Sequence, residues 1–170
     1  MKDIELREVP EQLVITEQRT VDQAQLLEWL PGAMGRVDRA AEGFGGVART
    51  SSQPHLLRNG HSDEKVFIVI YEGNPHEGPT PVEVCAPVSG PAAGATDVAT
   101  RTVPAHREAY VRLTRAEAAP EEIGAAYVAV ERWIGEQGLE MTGAPREVYW
   151  RDYFSAAQTD EVCDVAWPVR

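Results

Sequence analysis

Glu147 stands in the string Pro145-Arg146-Glu147-Val148-Tyr149 and offers the most distinctive chemistry in the chain. Side chains alternate along an extended strand. Over residues 146–154, therefore, Glu147, Tyr149, Arg151 and Tyr153 share one face, while Val148, Trp150, Asp152 and Phe154 share the other. A carboxylate among aromatic rings has a definite physical use. Desolvation makes its lone charge costly, so it demands a hydrogen bond or a cation. A flat lipophilic cation would supply the missing charge and stack on Tyr or Trp faces, each contact adding about 0.5–2 kcal/mol. The bland alternative is that Glu147 pairs with Arg146, Arg107 or Arg112, or simply faces water.

The elements that must hold this group come from an internal repeat. Ile4-Glu5-Leu6-Arg7-Glu8-Val9-Pro10 matches Val98-Ala99-Thr100-Arg101-Thr102-Val103-Pro104, each reading as a strand bent at Val-Pro and then resumed. Val84-Cys85-Ala86-Pro87-Val88 matches Val165-Ala166-Trp167-Pro168-Val169, with an acid, Glu83 or Asp164, just before each. Val69-Ile70-Tyr71 matches Glu147-Val148-Tyr149. Glu147 thus occupies a place where symmetry alone predicts a hydrophobe, and Tyr71 should lie across from Tyr149. Phe67 shares a face with Val69 and Tyr71.

Each half also carries a helical segment. The second runs from about Pro120 to Gln137, with Ile123, Tyr127, Val130 and Ile134 as its packing stripe and Gly138 as its stop. The first is read as roughly Gly32 to Glu42, with Trp29 and Leu30 just before it and Gly43-Phe44-Gly45-Gly46 ending it. The expected fold is α+β: a duplicated βαββ chain with pseudo-two-fold symmetry, two antiparallel sheets and two main helices. The first repeat covers about residues 1–89, the second about 97–170, and a small-residue linker about 89–97. Residues 48–65 have no counterpart in the second half. Asn59-Gly60 there suits a hairpin turn, and a mobile insertion suits the stretch equally well.

The 170 residues, 43% hydrophobic, suit a single domain. Sixteen basic against 27 acidic residues give a net charge of −11, with the excess acid spread over both halves, so nucleic acid is opposed as a partner at long range. No apolar run approaches a membrane span and the charged start is no signal peptide, which point to a cytoplasmic protein. Cys85 and Cys163 sit in Val-rich runs and read as buried thiols. His55, His61, His76 and His106 lack metal-ligand spacing, so neither a metal nor another cofactor is expected.

Three strings carry a resemblance: Pro145-Arg146-Glu147-Val148-Tyr149, Pro104-Ala105-His106-Arg107-Glu108-Ala109-Tyr110 and Val82-Glu83-Val84-Cys85-Ala86-Pro87-Val88. Over nearly its whole length the chain resembles the GyrI-like small-molecule-binding domain, a family that includes effector-binding domains of bacterial AraC- and MerR-type regulators. The resemblance implies a ligand cleft between the halves that takes lipophilic, often cationic, molecules. It makes Glu147 the central glutamate and Tyr149 and Tyr71 its flanking aromatics, with Trp29 and Trp133 as further walls. Phe67 and Tyr110 complete the candidate ligand-binding set. The duplicated core leaves no room for a helix-turn-helix, so a stand-alone multidrug-binding member is expected. The resemblance also admits two alternatives. One is hydrolysis of strained, cyclopropane-type toxins, in which Glu147 orients or deprotonates water and Tyr149 polarises the leaving carbonyl. The other is inhibition of DNA gyrase through a protein contact.

Overall fold

The computed structural model describes residues 2–56, 63–90 and 98–170, and within it two Val-Pro steps set the topology. Strand β1 (Glu5–Val9) stops before Pro10 and β2 (Gln12–Val21) follows; β5 (Thr100–Val103) stops before Pro104 and β6 (His106–Thr114) follows. Proline has no N–H for a ladder, so each strand breaks there. The break sends consecutive strands to different neighbours: β1 pairs with β6, and β5 pairs with β2. Strands β3 (Phe67–Tyr71), β4 (Thr80–Pro87), β7 (Arg146–Tyr149) and β8 (Glu161–Val169) complete the order β1-β6-β8-β7-β3-β4-β2-β5. Exchanging the two repeats reverses this order onto itself.

The two sheets expected from the sequence are the halves of one curled antiparallel sheet. Their inner edges pair through Phe67↔Tyr149, Ile68↔Val148, Val69↔Glu147 and Ile70↔Arg146. Left apart, β3 and β7 would present unpaired backbone groups, and pairing removes both edges. Val69 and Glu147 hold equivalent places in the repeat and also stand directly opposite in this ladder. The pseudo-two-fold axis therefore passes between them. Tyr71 consequently lies diagonally from Tyr149, whose direct partner is Phe67.

Matching ion pairs pin the exchanged strands. Arg7 on β1 reaches Asp164 on β8 at 2.6 Å, and Arg101 on β5 reaches Glu83 on β4 at 2.7 Å. The two acids are the residues that precede the matched Val-rich strings. Their surroundings differ: Asp164 is fully buried and also bonds Arg112 at 2.9 Å, whereas Arg101 is partly exposed.

Helix α1 (Gln23–Ala40) starts nine residues before the sequence reading and contains Trp29. A capping box between Asp22 and Gln25 begins it, and Leu26, Trp29, Ala33 and Val37 form its buried stripe. Pro31 does not break it. The carbonyl that proline deprives of a partner belongs to Leu27, which is 54% exposed, so water can satisfy it. Gly45 and Gly46, at φ +83° and +93°, then stop the chain from continuing helically. Helix α2 (Gly124–Glu136) buries Val130 and Ile134, and Gly138 follows it at φ +70°.

Helix α1 packs over β2 and β4, and α2 over β6 and β8. Both lie on the face that carries Glu147, leaving β3 and β7 as the floor between them. The opposite face is covered by residues 48–56 and 63–66, which make short 3-10 turns at Thr50–Ser52 and Pro54–Leu56 and bury Leu56 and Val66. Asn59-Gly60 and most of the linker lie outside the described residues. Strand β7 ends at Tyr149 rather than continuing to Phe154. Asp152 accepts the Phe154 N–H in a turn, which leaves Trp150 buried and Phe154 exposed.

The two ion pairs should differ in what their loss costs. Replacing Asp164 by Ala removes the carboxylate shared by two buried guanidinium groups and should cost about 3 kcal/mol in denaturant unfolding. Glu83→Ala should cost roughly 1 kcal/mol or less, because Arg101 can turn to water. Equal losses would contradict the pinning role assigned to the buried pair.

Candidate functional site: a carboxylate held by tyrosines

Because Glu147 and Val69 meet at the symmetry axis, the carboxylate sits at the centre of the floor between the helices. It is 6% exposed, and no Lys, Arg or His comes within ion-pair distance among the described residues. The bland pairing is absent for a simple reason: Arg146 is its neighbour on the strand and points to the opposite face. Tyrosines satisfy the group instead. Tyr127 on α2 donates to Oε2 at 2.6 Å, and Tyr149 on β7 donates to Oε1 at 2.6 Å. The Tyr71 hydroxyl, from β3, also interacts with the carboxylate as a hydrogen-bond partner.

Burial pushes the Glu147 carboxyl above its ordinary range, and the three tyrosine hydroxyls pull partly against that rise. The tyrosines are pushed well above the usual phenol range, first by burial and next by the Glu147 charge, so they remain donors. The result is a desolvated anion with hydrogen bonds but no countercharge. It can accept a cation without losing an existing ion pair.

The sequence-derived candidates divide into three groups. Glu147, Tyr149 and Tyr71 come together. Phe67, half-buried, flanks them on the same face and packs with the α1 cluster, as does Trp29, whose indole N–H donates to Glu17 at 2.9 Å. Trp133, on α2 itself, packs against the other core cluster, and no polar contact to Glu147 is present among the described residues. Tyr110 lies on the opposite face, where the Arg7 guanidinium stacks 3.9 Å from its ring centre and its hydroxyl donates to Glu5. Its place in the β6 ladder opposite Ala166 puts it there.

Two residues were not singled out from sequence. Tyr127 donates to Glu147, and Trp167 meets Tyr127 edge-on at 5.7 Å. Tyr127 was legible as part of the helix stripe. A tyrosine in such a stripe carries a hydroxyl that needs a buried acceptor, and that was the available signal.

No protein-family model matches the sequence, and no curated protein does. Solved structures do. The EcmrR C-terminal domain superposes with a TM-score of 0.73 at 17% identity, covering 100% of this chain and 98% of that one. The fold is GyrI-like. In the EcmrR–DNA complex the TM-score is 0.72 at 18% identity over 99% of this chain, which spans only 57% of that chain. SAV2435 bound to tetraphenylphosphonium gives a TM-score of 0.56 at 13% identity, with 99% and 94% of the two chains covered. A hydrolase from Listeria innocua gives 0.63 at 12% identity, with 99% and 92% covered. At these identities the likeness concerns the GyrI-like fold, and the site must be argued from its own geometry. No helix of the described residues is long and apolar enough to cross a membrane.

An acid whose folded-state pKa is raised stabilises the fold below its unfolded pKa and loses that contribution as pH rises through the folded value. Glu147→Gln should therefore be more stable than the parent at neutral pH, with the gap shrinking toward acid pH. Thermal melts across pH 3–8 check this. A gap that is absent or grows on acidification would contradict the burial-dominated shift.

Proposed function

We propose that the protein binds lipophilic, cationic small molecules in the groove between α1 and α2, with Glu147 as the charge partner and tyrosine rings as walls. One observation carries the reading: a buried carboxylate satisfied by tyrosine hydroxyls and with no positive partner among the described residues. Such a group attracts a cation strongly because its desolvation has already taken place on folding. The rings around it add cation–π attraction for the same ligand charge. The tetraphenylphosphonium complex of SAV2435, a protein of the same fold, supports this ligand class.

Hydrolysis is the second reading, favoured by the same carboxylate–tyrosine arrangement and by a fold neighbour described as a hydrolase. Two short tyrosine bonds, one to each oxygen, argue against it. They occupy both carboxylate oxygens and compete with a water for the lone pairs that would take its proton. The arrangement suits holding charge better than moving it.

The test compares tetraphenylphosphonium with neutral triphenylphosphine oxide, a ligand of similar bulk. Glu147→Gln should weaken the cation by roughly tenfold or more, equivalent to about 1.4 kcal/mol, while changing the neutral ligand little. Tyr127→Leu should weaken both, through the lost wall. Equal losses for both ligands in Glu147→Gln would overturn the charge-partner role. Mass-spectrometric analysis after incubation with a cyclopropane-bearing electrophile separates binding from turnover; product formation abolished in Glu147→Gln would favour hydrolysis.

A further inference from the structure

The face of the sheet opposite Glu147 holds a second, independent cluster of charge. Arg7 bonds Asp164 and Glu108, and Arg112 bonds Asp164, so these two cations and two anions balance. His106 completes the set through Glu108 Oε1 at 3.1 Å and the Pro104 carbonyl at 2.9 Å. Burial raises the Glu108 carboxyl, but Arg7, His106 and Arg146 outweigh that and hold it at about 2. It is therefore an anion at any physiological pH. His55 is lowered to about 4 by burial and by Arg7, so it stays neutral.

One guanidinium is left over. Arg146 is half-buried beside this cluster and makes no side-chain hydrogen bond or ion pair among the described residues. A small cavity of about 20 Å³ opens here, with Arg7, Gln53, His55, His106, Glu108 and Arg146 among its lining. Three lining side chains contribute a buried nitrogen with no partner: Arg7 Nε, His55 Nδ1 and Arg146 Nε. An unmade bond at a buried nitrogen of this kind is costly, more so where the group is charged. Three such atoms converge on one cavity, beside a guanidinium that no described carboxylate balances. The floor is apolar, formed by Ile68, Ile70 and Val148.

We infer that this cavity binds a small planar monoanion of the carboxylate class, held by the Arg146 guanidinium and by the unpartnered nitrogens of Arg7 and His55. A carboxylate or its planar analogues match the fork of a guanidinium, which donates two parallel hydrogen bonds. The cavity volume exceeds what one water needs. Anion binding would neutralise Arg146 and satisfy the stranded donors together. Adjacent residues of β7 would then serve opposite faces: Glu147 for a cation between the helices, Arg146 for an anion inside the curl of the sheet.

The test titrates sodium formate and sodium nitrate, with sodium fluoride holding ionic strength constant, and follows the melting temperature and the imidazole NMR signals of His55 and His106. The parent protein should show saturable shifts with formate and nitrate. Arg146→Met should lose them, with apparent affinity at least tenfold weaker, and Arg146→Lys should retain part through its charge. Glu147→Gln should respond like the parent, because it lies on the other face. Absence of a saturable imidazole response in the parent would overturn the inference. So would a response undiminished in Arg146→Met, or, should that variant not fold, undiminished in Arg146→Lys. Loss of the response in Glu147→Gln would assign the anion to the groove and equally defeat a separate site.

Discussion

A single desolvated negative charge at a symmetry axis organises what this protein can do. Duplication places Val69 and Glu147 opposite each other in the one ladder that joins the halves. An apolar pair there would simply extend the core. A carboxylate there must be satisfied, and three tyrosines from β3, β7 and α2 converge to do it. Each comes from a different element, so the charge also ties the second helix to the central strands. On the proposed function this is a trade of stability for readiness: burial raises the free energy of the anion, and a bound cation would lower it again.

The scaffold that makes this tenable is the strand exchange at the two Val-Pro steps. Because β1 joins the second half and β5 the first, neither repeat completes its half of the sheet alone. The Arg7–Asp164 and Arg101–Glu83 pairs fix that exchange on the face away from Glu147. Both arginines are thereby held by acids on that face, and among the described residues no arginine pairs with Glu147. Had Arg146 been one register position away, it would have neutralised Glu147 and closed the site chemically.

Much of this was legible in the sequence. The Val-Pro bends, the matched Val-rich strands and the place of Glu147 relative to Val69 all follow from a repeat whose period-2 alternation fixes the facing residues. Tyr71, Tyr149 and Glu147 could be grouped on that basis alone. Pro31-Gly32 reads as a boundary of the first helix, whereas the Asp22 capping box and the exposed position of Leu27 let the helix run through it. Continuing β7 to Phe154 failed because alternation persists on paper where the Asp152 turn ends the ladder. Tyr110 was assigned by residue type without a register to fix its face. The interior charge cluster was illegible for another reason. Arg7, Glu108, Arg112 and Asp164 come from three strands, β1, β6 and β8, and only the exchanged topology brings them together.

The central claim concerns the ionisation of one side chain, and direct titration of Glu147 tests it. With carbon-13-labelled glutamate, assigned by comparison with Glu147→Gln, the free protein should show the Glu147 carboxyl titrating above the other glutamates. Saturation with a lipophilic cation should bring that midpoint down. A midpoint in the ordinary carboxylate range, or one that does not move when the cation binds, would contradict the account.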